Sequence, residues 1–112
     1  METRAGDIDS FLAMTYDGDP RVRRAAVTHL CPCHVKRNHE PVWERMVAMA
    51  TDPDPGVRNW VLHVLTDGSP RSRRAQVVQV LERLRDDPDP KIRRKARNID
   101  AEFRRTGNLN VS

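Results

Sequence analysis

Asp17-Gly-Asp-Pro-Arg-Val-Arg23 returns as Asp52-Pro-Asp-Pro-Gly-Val-Arg58 and again as Asp87-Pro-Asp-Pro-Lys-Ile-Arg93. The spacing is 35 residues both times, and the shared pattern is D-x-D-P-x-[VI]-R. A fixed period of this size is the mark of stacked supersecondary units. Each copy reads as a helix start. Asp19, Asp54 and Asp89 stand where an N-cap belongs: a carboxylate there accepts first-turn N–H bonds and meets the positive end of the helix dipole. Pro20, Pro55 and Pro90 follow at the first helical position, where a missing N–H costs nothing. Asp17, Asp52 and Asp87 help to end the preceding helix in a tight turn.

Outward from these turns the apolar residues recur at helical spacing. Val22, Ala26, His29 and Leu30 form one stripe. Val57, Trp60, Val61, Val64 and Leu65 form the second, and Ile92, Ala96, Ile99 and Phe103 the third. Partner helices are predicted at about 7–16 (Ile8, Phe11, Leu12), about 41–51 (Val42, Trp43, Met46, Val47, Met49, Ala50) and about 70–86 (Val77, Val78, Leu81, Leu84). The last of these opens on Ser69-Pro70, cap then proline. Gly107 is a natural stop for the final helix. The result is an all-α chain, an α-solenoid of six helices in three antiparallel pairs. Its repeats span about 7–39, 40–69 and 70–107, and residues 108–112 form a short tail.

This pattern resembles HEAT repeats, and those of the phycobilisome-lyase group in particular, over roughly residues 7–105. The resemblance implies a ladder in which a turn aspartate and the following arginine bond to neighbouring repeats. Asp19, Asp54 and Asp89 match that aspartate, and Arg23, Arg58 and Arg93 match that arginine. It also implies a non-enzymatic scaffold that binds another macromolecule along a concave helix face. Three repeats is the lower limit for a stable stack.

Composition agrees with one small domain. The chain has 112 residues, a formal net charge of +4, 38 % hydrophobic and 32 % charged residues. That is too apolar for a disordered charged tail and too polar for a large enzyme core. Apolar runs such as Met46 to Ala50 fall far short of the roughly twenty residues that span a membrane. The first ten residues hold no apolar signal segment, so a cytoplasmic chain with reduced thiols is expected. The charge is uneven: residues 1–66 carry eight basic and nine acidic groups, residues 67–112 twelve and seven.

Three constellations are candidates for chemistry. The first is His29-Leu-Cys31-Pro-Cys33-His34, with His39 behind it. Zinc takes four N/S ligands in a tetrahedron. Cys31, Cys33 and His34 supply three, and His63 on the next repeat is the candidate fourth, with His29 or His39 as alternatives. Against this, C-x-C is not the usual zinc spacing, and cysteines and a stripe histidine are ordinary core residues. A redox pair is disfavoured because a helix C-terminus does not stabilise a thiolate.

The second is arginine. Arg24, Arg94 and Arg97 are the candidate partner-binding residues, suited to an acidic protein through ion pairing. The alternative is nucleic acid bound by the basic C-terminal half, although aromatics for base stacking are few. A third, His63, Asp67 and Ser69, lacks any accompanying nucleophile elbow or phosphate loop, and Ser69 is better read as an N-cap. No enzyme is expected.

Overall fold

The computed structural model describes residues 5–31, 39–66 and 71–107. Among them are six α-helices: α1 (Ala5–Met14), α2 (Pro20–His29), α3 (Glu40–Ala48), α4 (Pro55–Thr66), α5 (Arg74–Leu84) and α6 (Pro90–Thr106). Two single 3₁₀ turns, Met49–Thr51 after α3 and Arg71–Arg73 before α5, finish the predicted partner helices in tighter form. The helices pair as α1/α2, α3/α4 and α5/α6. The second members stack on one another, α2 on α4 and α4 on α6, while α3 packs against α5. The arrangement is an α-solenoid. The tail at 108–112 lies outside the described residues.

The turn chemistry acts as the spacing implies. Asp19 Oδ1 accepts from Arg21 N at 2.9 Å, Asp54 Oδ2 from Val57 N at 2.9 Å, and Asp89 Oδ1 from Lys91 N at 2.8 Å. The Arg21 guanidinium also bonds Asp19 and holds its carboxyl below the ordinary aspartate value. At the far end Gly107 takes a left-handed φ of 74° and its N–H closes on Phe103 O, a conformation that suits glycine.

The core runs continuously through the three repeats. Val27, Val57, Val61, Leu62 and Leu81 are wholly buried within it. α4 is the hub, and its buried side is wide. Val61 and Leu65 lie at the centre, and Leu62 and Thr66 extend it toward α4's far side, about 200° of arc at 100° per residue. Trp60 was expected on this stripe. Instead it lies at the outer margin and is 37 % exposed. His29 is exposed and Val22 and Phe103 are only partly buried, because each lies toward an end or rim of the stack.

The outer face of the third repeat departs from the pattern. Val27 and Leu62 are buried, yet the equivalent position is Arg97, which is exposed. Leu30 and Leu65 become Asp100, Leu12 and Val47 become Glu82, and Ala50 becomes Arg85. Three of these charged replacements are tied together. Asp100 lies 3.4 Å from Arg85 and 3.2 Å from Arg104, and Arg97 donates to Arg85 O at 3.0 Å. A polar outer face of this kind closes a solenoid against water.

Candidate protein-interaction face and the arginine ladder

A ladder joins the repeats at their turns. Arg23 meets Asp52 side-on, Nε to Oδ2 at 2.9 Å and Nη2 to Oδ1 at 3.0 Å. Arg58 meets Asp87 in the same way, at 2.8 and 3.1 Å. Each arginine's remaining nitrogen is held by its own turn. Arg23 Nη1 donates to Asp17 O and Gly18 O, and Arg58 Nη1 to Asp52 O and Pro53 O. The carboxylates in turn accept the N–H two residues on, Asp52 from Asp54 and Asp87 from Asp89. These are bidentate, charge-assisted pairs with every group satisfied. The Asp52 carboxylate holds the Arg23 guanidinium above the ordinary arginine range.

This corrects the assignment of Asp19, Asp54 and Asp89 to the ladder. Those three carboxylates are occupied by the N–H groups of their own helices. The aspartate two residues earlier lies outside the helix and faces the preceding repeat, so it takes the rung. Asp54 does reach back to the first repeat, but to Arg24, at 3.7 Å.

A second tie runs along the first helices of each pair. Arg45 donates to Thr15 Oγ1 at 2.9 Å and Thr15 O at 3.0 Å, and its guanidinium lies 3.7 Å above the Tyr16 ring. Sequence reasoning missed this contact, because no repeat pattern marks Arg45.

The outward side of α2, α4 and α6 offers four sets of equivalent positions: Arg21, Gly56, Lys91; Arg24, Asn59, Arg94; Ala25, Trp60, Lys95; and Thr28, His63, Asn98. All are exposed or half-buried. Five of the twelve are basic and none is acidic. Trp60 lies on the middle helix, with the His63 ring edge-on to it at 5.4 Å. Arg21 and Arg24 are engaged by Asp19 and Asp54, whereas Lys91, Arg94 and Lys95 carry no ion pair among the described residues. Arg97 belongs elsewhere: it lies on the charged end face and pairs with Asp86 at 3.8 Å.

Four of the candidate metal ligands fall among the described residues. Cys31 is buried in the core between the first two repeats, His29 stacks on Phe11 at 4.5 Å, and His63 lies against Trp60. His39 precedes α3 without a side-chain capping bond. No group of three or more metal-ligating side chains forms among the described residues. Cys33 and His34 lie outside the described residues, as do Asp67 and Ser69.

Stacked helix pairs with a continuous core and turn-to-turn ties define an α-solenoid of repeat type. The family model for HEAT repeats matches residues 8–99, and the chain belongs to that family. No curated protein and no solved structure matches it. HEAT repeats commonly serve as non-enzymatic scaffolds for protein interaction. Among the described residues no helix is long and apolar enough to cross a membrane.

Proposed function

We propose that this chain is a scaffold that binds an acidic protein segment across the outward side of α2, α4 and α6. One observation carries the reading: an exposed tryptophan at mid-face, surrounded by basic positions, with no acidic residue among the twelve. Tryptophan beside cations is a common anchor arrangement at protein interfaces, where the ring fills a pocket and the charges select the partner. Nucleic acid is the weaker reading. Much of the C-terminal basic excess is engaged inside the protein, since Arg73 pairs with Glu40, Arg85 and Arg104 with Asp100, and Arg105 with Glu102.

The test uses Trp43→Phe protein, which leaves Trp60 as the only indole. A 15-residue peptide alternating Glu with Leu and Phe is titrated against Trp60 emission. The expected result is a saturable shift that Arg94→Glu with Lys95→Glu removes while the melting temperature holds. An unmoved Trp60 overturns the reading. A 20-base-pair duplex that binds more tightly, with affinity falling steeply as salt rises, establishes the nucleic-acid alternative.

A further inference from the structure

Among the described residues the ladder has a third arginine and no third rung. Arg93 stands 35 residues after Arg58 and repeats its setting: Arg93 Nη1 donates to Asp87 O at 2.9 Å, as Arg58 Nη1 donates to Asp52 O at 2.8 Å. The two filled rungs each take an aspartate 29 residues beyond the arginine. At this end the positions that build a seam with a following repeat are charged, as Glu82, Arg85, Arg97 and Asp100. Among the described residues, Arg93 Nε and Nη2 meet no acceptor. Arg93 is half-buried and its guanidinium is fixed at one nitrogen.

We propose that Arg93 is a carboxylate-binding fork that takes an Asp or Glu side chain of a partner protein, side-on, at the edge of the third repeat. The protein itself displays the bound state twice, at Arg23 and Arg58. A guanidinium already held by one hydrogen bond loses less freedom when a carboxylate arrives, which favours binding. Lys91 and Arg94 beside it are exposed, while the acids of its own turn are engaged elsewhere, Asp87 by Arg58, Asp89 by its helix and Asp86 by Arg97.

A second copy of this chain is the poorer occupant. Its Asp17 is the matching open acid, with Oδ1 accepting from Asp19 N at 2.8 Å as in the filled rungs. Seating it on Arg93 in the manner of a further repeat would bring the first repeat onto Arg97, Asp100, Arg85 and Glu82. The receiving face is charged, and removing it from water carries a large desolvation cost. A short acidic segment reaches Arg93 from the edge and leaves that end face wet.

The proposal rests on the protein-binding reading but places this contact at the end of the stack, away from Trp60. Arginine Nε–H resonances of the ¹⁵N-labelled protein are followed while acetyl-Ala-Asp-Pro-Asp-Pro-Ala-amide is added. Inorganic phosphate is added in a parallel titration, and sedimentation velocity is run on the same samples. The Arg93 signal, assigned by its loss in Arg93→Lys, is expected to move toward those of Arg23 and Arg58 and to saturate. Arg93→Lys is expected to weaken the peptide roughly tenfold, while Arg94→Lys changes it little.

An unmoved Arg93 signal overturns the proposal, and so does a response to phosphate equal to that to the peptide. Self-association lost in both Arg93→Lys and Asp17→Asn makes the occupant a second copy and overturns the partner assignment. Trp60 emission reads the helix face separately. A Trp60 response without an Arg93 shift defeats this proposal alone, and the converse defeats only the face.

Discussion

Compare the seam between the first two repeats with the outer face of the third. Both use the same positions on the same kind of helix pair. In the seam, Val27 and Leu30 are buried and Arg23 is closed on Asp52. On the outer face, Arg97 and Asp100 stand in their places, and among the described residues Arg93 meets no aspartate. The backbone is thus indifferent to whether another repeat follows. Four side chains decide it: two at the core of the seam, and two more, Glu82 and Arg85, on the flanking helix. Position in the stack also sets the energetic role of an arginine, since the rung residues share one local environment and differ in what lies beyond them.

The largest test of that difference sets Arg58→Ala against Arg93→Ala. Side-chain exposure in the Arg58–Asp87 pair is 12 % and 3 %, so removing the arginine strands a buried carboxylate. We expect Arg58→Ala to cost about 3 kcal/mol and Arg93→Ala within about 0.5 kcal/mol. Urea midpoints decide it, and equal losses would break the comparison. Asp54→Ala comes next. It removes the α4 cap and the contact with Arg24 but leaves both rungs, so about 1–2 kcal/mol is expected by the same measurement.

A third test rebuilds the seam at the end. Arg97→Val with Asp100→Leu restores the residue types that the first two repeats use there. Stability is expected to change by less than about 1 kcal/mol, while sedimentation velocity detects new self-association through the apolar face. A strictly monomeric double variant would mean that the charged cap is not what closes the stack.

The smallest effect is pH-dependent. The carboxyl of Asp19 is held low by its hydrogen bonds to Arg21. A carboxyl depressed in the folded state stabilises at pH above its unfolded value, about 4, and that contribution fades as pH falls through the folded value. Asp19→Asn should therefore lower the melting temperature slightly at pH 7 and by less at pH 3. A deficit of the same size at both would assign the effect to the cap geometry rather than to charge.

Much of the fold was legible because cap, proline and apolar residue recur at one period, and each has a local cause. The rung was misread at the aspartate. Two carboxylates stand two residues apart in every turn, and repetition marks both equally. Only the direction of each side chain separates the one spent on its own helix from the one facing its neighbour. Trp60 was misread for a related reason. Stripe counting assumes one neighbour below the helix, but α4 has helices on both sides. Its buried arc is therefore displaced toward Leu62, and Trp60 falls at the edge. Arg97 was visible as a charge and invisible as a cap, since its meaning comes from the buried Val27 and Leu62 at equivalent positions.

The rungs have a consequence for how such a chain can change length. Each rung runs from one repeat to the next, over 29 residues, and skips no unit. A second copy of residues 52–86 inserted after Asp86 would give Arg58 the copied Asp52 and give the copied Arg58 the original Asp87. Two rungs would become three with no new chemistry. The charged end face would stay where it is, at the close of a longer stack. Duplication of one interior segment is therefore the change that this architecture accepts most easily, and it would widen the outward helix face by one helix that carries a second Trp60.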